Sequence, residues 1–75
     1  MMIETFDDGS ARLHFGKVNG RRIFPPGVKE WLDNRSNAAW YTANGMKRTT
    51  SNGRKRAFAS LDSTDLVAFK LKFNI

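Results

Sequence analysis

The amino-acid sequence predicts a single α+β domain, a small antiparallel sheet with a short central helix and a C-terminal helix. Three observations point there. Asn-Gly, the strongest short hairpin signal because a type I′ turn needs positive φ at both central residues, recurs at 19–20, 44–45 and 52–53. Extended runs with apolar–polar alternation flank these turns. Helix-start chemistry follows Pro25-Pro26-Gly27 and Asp62. The 75 residues make one domain, 1–75. A chain this short buries only about 60% of the surface its unfolded form exposes. Its core material is aromatic, with six Phe, two Trp and one Tyr. Each such side chain can bury roughly 150–250 Å², so folding alone is plausible, and a homodimer would add burial.

Taken in order, Met2 to Phe6 is a short apolar–polar run closed by Asp7-Asp8-Gly9-Ser10, where Asp bonds its own backbone and Gly takes positive φ. Ala11 to Val18 reads as a strand with Leu13 and Phe15 on one face and Arg12 and His14 on the other. A two-residue turn at Asn19-Gly20 pairs Lys17 with Arg22 and Phe15 with Phe24. Pro25-Pro26-Gly27 stops the sheet, since proline cannot donate to a ladder but suits a helix start. Val28, Trp31, Leu32 and Arg35 then follow at helical spacing, giving a short helix from about Gly27 to Arg35. It is too short to stand alone and must pack on the sheet.

Ala38 to Ala43 reads as a strand with two adjacent large aromatics, Trp40 and Tyr41. If Asn52-Gly53 closes a tight hairpin, Met46–Ser51 pairs with Arg54–Leu61 as a basic β-ribbon rooted in the core. The alternative is a disordered loop of about ten residues, because Lys, Arg, Ser, Asn and Gly are poor core formers. The C-terminus carries two signals. Val67, Phe69, Leu71, Phe73 and Ile75 alternate as in a strand. Asp62-Ser63-Thr64-Asp65 instead starts a helix on which Leu66, Phe69 and Phe73 share a face and Lys70 and Lys72 sit at the negative end of the dipole. The expected core is Phe15, Trp31, Leu32, Phe58, Leu61, Phe69 and Phe73.

The run from Arg56 to Phe73, RAFASLDSTDLVAFKLKF, resembles the ends of small uncharacterised proteins of tailed bacteriophages. Those read as a strand, one or two acids, then Asp-x-x-x-Phe-Lys-Leu-x-aromatic, matched here by Asp65, Phe69, Lys70, Leu71 and Phe73. The resemblance covers about a quarter of the chain and carries no active site. It implies a helix at the C-terminus and favours a role directed at host machinery.

The charge is segregated. The chain carries +6 overall. Residues 34–61 hold Arg35, Lys47, Arg48, Arg54, Lys55 and Arg56 and no acid, while the flanks are balanced. The sequence pI is about 10.4, and clustered basic charge is the electrostatic footprint of a polyanion binder, although a solvated basic face that keeps a small protein soluble has the same composition. Cysteine is absent, which excludes disulfides, thiolate chemistry and cysteine-based metal sites. No apolar run approaches the ~20 residues of a membrane helix, and no signal peptide is visible, so a cytoplasmic protein is expected, in a host cell if viral.

Catalysis is not expected. The single histidine, His14, has no orienting group nominated by sequence, and a lone His with scattered carboxylates falls short of the four ligands of a structural zinc site. The acidic pairs suit a turn and a helix cap, and no phosphate-binding glycine loop is present. No cofactor or metal is anticipated. The expected function is non-enzymatic nucleic-acid binding through 44–56. Lys47, Arg48, Arg54, Lys55 and Arg56 would neutralise phosphates, and Trp40 and Tyr41 would be available to stack unpaired bases. Adjacent strand residues face opposite ways, so at least one of those two aromatics belongs to the core. The alternative is a virus-encoded modulator whose basic surface docks on an acidic host protein.

Overall fold

The computed structural model of the protein describes residues 1–35, 37–48 and 56–75, with Arg48 described in its backbone. Strands β1 (Met2–Thr5), β2 (Ala11–His14), β5 (Ala39–Tyr41), β6 (Lys47–Arg48) and β7 (Phe58–Leu61) form one antiparallel sheet in the order β1-β2-β7-β5-β6. Strands β3 (Lys17–Val18) and β4 (Arg21–Arg22) form a separate hairpin, and helices α1 (Val28–Asp33) and α2 (Ser63–Phe73) complete the fold. The class is α+β, as the sequence predicts. No helix among the described residues is long and apolar enough to cross a membrane.

Local chemistry explains most of these elements. The Asp7–Ser10 turn forms with Gly9 at φ +87°, and the Ser10 hydroxyl and amide both donate to Asp8 Oδ1. Those donors, the hydroxyl foremost, hold the Asp8 carboxyl below its ordinary value. Gly9 also lies against α2, where an added Cβ would stand 3.0 Å from Ser63 Cβ. At Asn19-Gly20 both central residues have positive φ, 53° and 77°, and Lys17 pairs with Arg22, the expected hairpin. The long strand expected over Ala11–Val18 instead breaks after His14. Phe15 and Phe24 do not pair in a ladder, but their rings meet at 4.8 Å.

Helix α2 resolves the double signal at the C-terminus. Asp62 caps it by accepting from the Asp65 amide, Lys70 and Lys72 occupy its last turn, and Asn74 ends it in the left-handed region with Ile75 N–H bonded to the Lys70 carbonyl. Phe69 is fully buried on this helix, whereas Val67 and Leu71, which a strand would have turned inward with it, are 59% and 78% exposed. Asp65 is buried in the first turn, and its Oδ2 meets no hydrogen-bond donor among the described residues. The helix dipole favours a carboxylate at that position.

The core lies between one face of the sheet and the two helices. Leu13, Trp40, Ala59 and Leu61 from the strands meet Val28, Leu32 and Phe69, with Phe15 alongside. Trp31 and Phe73 are only partly buried and pack at its margin as edge-on ring neighbours. Phe58 departs from the expected core. It projects from the opposite face of β7 and is half-buried.

The ribbon expected to pair Met46–Ser51 with Arg54–Leu61 is not how β6 and β7 are arranged. Strand β7 is bonded on one side to β2 and on the other to β5, so neither edge is free for β6. Strand β6 pairs with β5 instead, through a turn in which Thr42 N–H bonds the Met46 carbonyl and Gly45 takes φ +84°. The turn at Asn52-Gly53 lies outside the described residues.

Candidate nucleic-acid interface

The sheet has two aromatic faces, and α1 and α2 both pack on the same one. The other is built by strand alternation. Across β2, β7, β5 and β6 the register sets His14 opposite Phe58, Phe58 opposite Tyr41, and Tyr41 opposite Lys47. Cross-strand partners share a face at Cβ separations of ~4.5–5.5 Å, so these side chains form a row. Tyr41 and Phe58 stack with centroids 5.0 Å apart and planes within 8°. His14 tilts against Phe58 at 5.4 Å. The Arg12 guanidinium stands between two rings, 5.2 Å from Phe6 and 5.3 Å from Phe58. Arg12 and Lys47 are exposed, while Tyr41, Phe58 and His14 are half-buried. Glu4, opposite Arg12 on β1, reaches the end of this row, its Oε1 3.0 Å from His14 Nε2. A cavity of about 590 Å³ opens at the Phe58 end, lined in part by Met1, Met2, His14, Phe58 and Arg22.

The residues expected to bind nucleic acid separate on this scaffold. Tyr41 lies on the open face, and Lys47 is an exposed neighbour in register with it. Arg48 is the ladder partner of Trp40. Arg54 and Lys55 lie outside the described residues. Trp40 belongs to the core, 6% exposed, with its indole N–H donating to Asp33 Oδ1 at 3.0 Å and its ring against Phe15 and Phe24. It has no face to offer a base.

Arg56 is a second correction. Far from projecting into solvent clear of any acid, it is 2% exposed. Its Nη1 lies 3.0 Å from Asp33 Oδ1 and 3.3 Å from Oδ2, and its guanidinium covers the Trp40 ring at 4.7 Å. Spacing in sequence hid this, because Asp33 is 23 residues away. A planar, always-charged guanidinium suits a site that combines carboxylate and aromatic face. Arg56 joins α1, the core tryptophan and the start of β7, and is a structural cation. Arg35 is also engaged, 4.1 Å over the Trp31 ring.

Phe58, Arg12 and His14 were the open-face residues that sequence reading did not nominate. A signal for Phe58 existed: it alternates with Ser60, while Ala59 and Leu61 occupy the other phase, so Ser60 marks the outward side of that strand. Among the described residues no group of three or more His, Asp or Glu is placed to hold a metal ion. No protein-family model, curated protein or solved structure matches the chain.

Proposed function

We propose that the protein is a non-enzymatic nucleic-acid-binding module that uses the open face of its sheet together with the adjoining basic stretch. The observation that supports this best is the row Arg12–Phe58–Tyr41–Lys47, in which stacked aromatic rings lie between exposed cations on a face neither helix occupies. Aromatic side chains beside a positively charged track are the shared features of sequence-tolerant single-strand binders, the rings meeting bases and the cations meeting phosphates. Lys47 and Arg12 supply phosphate contacts on the sheet, and Arg48, Arg54 and Lys55 extend the charge along the chain. Arg56 is withdrawn from that set by its burial.

The test is a fluorescence-anisotropy titration of labelled single-stranded and duplex oligonucleotides between about 50 and about 200 mM salt. Affinity falls linearly with salt on a log–log plot, each lost phosphate contact on a single strand flattening the slope by about 0.7. Absence of binding to either form at the lowest salt overturns the reading. Stoichiometric capture of one acidic host protein after nuclease treatment, with no oligonucleotide affinity, replaces it with the protein-directed alternative.

A further inference from the structure

We infer that the cavity at the Phe58 end of the open face is a nucleobase pocket that takes one unpaired base of a bound single strand. The inference rests on the nucleic-acid reading above and specifies the form of its ligand.

Four features carry it. The cavity, about 590 Å³, falls within the ~300–1,000 Å³ of small-ligand sites. Its walls suit a flat, polarizable ring: the thioethers of Met1 and Met2 and the ring of Phe58 are apolar and adaptable. Of its polar groups, His14 and Arg22, the second is anchored and directional. Arg22 lines the cavity, and its Nη1 donates to the Phe15 carbonyl at 2.7 Å, which anchors a guanidinium whose fork can meet the acceptor edge of a base. Finally, the cavity is continuous with the proposed phosphate track, because Phe58 both lines it and stacks on Tyr41, with Lys47 the next residue across the sheet. A strand crossing the face from Lys47 therefore arrives at the pocket. A base can enter only if its Watson–Crick edge is free, so the site selects single strands over duplex.

The methionines make the inference directly testable. Met1 and Met2 line the cavity, whereas Met46, 69% exposed, does not. Methyl NMR spectra are recorded on the whole protein during titration with adenosine 5′-monophosphate, with ribose 5-phosphate as the baseless control, and with a short single-stranded oligonucleotide. The expected result is saturable shifts of the Met1 and Met2 methyl signals with the nucleotide and the oligonucleotide. Met46 should stay flat with the nucleotide, and the ribose 5-phosphate titration should leave the Met1 and Met2 signals unmoved. Ala43→Leu, at an exposed residue of the cavity lining, should keep the melting temperature and lower single-strand affinity ~10-fold, the loss expected for one stacked base, without altering the salt slope. If the oligonucleotide binds while the Met1 and Met2 signals stay unmoved, the pocket is refuted and the sheet-face reading survives. If the oligonucleotide does not bind at low salt, the nucleic-acid reading fails and the pocket assignment falls with it. Equal shifts with ribose 5-phosphate assign the cavity to phosphate and overturn the base assignment.

Discussion

The two faces of the sheet use the same kinds of side chain to different ends. On the helix-covered face Trp40, Phe15 and Phe69 are almost entirely excluded from water, and the cation over the Trp40 ring, Arg56, is held by Asp33. On the open face Tyr41 and Phe58 remain half-buried, and the nearby cations Arg12 and Lys47 are exposed. An aromatic ring closed over by helices contributes apolar burial, and a cation there must be paired because an isolated buried charge is costly. A ring left at the surface retains a π-face for a partner, and an exposed cation beside it retains its charge for an incoming anion. Position on the sheet, more than residue type, decides whether such a ring is buried or left open at the surface.

The largest effect that would test this contrast is at Phe69. Phe69→Ala should cost about 3–5 kcal/mol, as large-to-small changes at fully buried sites do, and leave so small a domain largely unfolded in a thermal melt. Phe69→Ala protein with a near-native melting temperature would mean the helix-covered face is not the core.

Next comes Arg56, where the two faces predict opposite behaviour for a basic residue. Removing one partner of a buried pair costs ~3–5 kcal/mol. The Asp33 side chain is 27% exposed, so water offsets part of that, and Arg56→Met should lose about 2–3 kcal/mol in chemical denaturation. A change as harmless as one at Lys47 would return Arg56 to the solvent-facing cations.

Phe58→Ala sharpens the comparison from the other side. Phe58 is half-buried, and its stack with Tyr41 is worth about 0.5–1.5 kcal/mol beyond area. The variant should remain folded, with a loss well below that of Phe69→Ala, while single-strand affinity falls, because Phe58 holds Tyr41 and Arg12 in place and walls the cavity. A stability loss equal to that of Phe69→Ala, with affinity unchanged in the surviving folded fraction, would place Phe58 functionally in the core.

The smallest expected effect on stability is at Lys47. Exposed charges without fixed partners contribute ~0–1 kcal/mol, so Lys47→Ala should melt like the parent. Its signature is electrostatic: the single-strand salt slope flattens by about 0.7. An unchanged slope removes Lys47 from the phosphate track.

Much of the fold was legible where short-range chemistry decides the outcome. Asn19-Gly20 specified its hairpin and the Lys17–Arg22 pairing, because few residue pairs accept two positive φ angles in succession. The cap at Asp62 and the lysines of the last turn outweighed the period-two pattern of residues 67–75, since a helix satisfies its own backbone whereas a strand there would need a free sheet edge. Alternation placed Trp40 and Tyr41 on opposite faces, although it could not say which of the two was inside.

What the sequence by itself determined was the α+β class, the turns at Asp7–Ser10 and Asn19-Gly20, the short central helix and the concentration of positive charge between residues 34 and 61, while the C-terminal segment carried helix and strand signals together. Only the tertiary structure decided how those parts were shared out. It placed β7 at the centre of the sheet between β2 and β5, gave β6 to β5, buried Arg56 against Asp33 and Trp40, stacked Phe58 on Tyr41 and set Arg12 and His14 against Phe58. The physical reason is range. Turns and caps are settled by bonds within about five residues, whereas strand order and the pairing of a buried charge depend on side chains that become neighbours only after the chain has closed over its core.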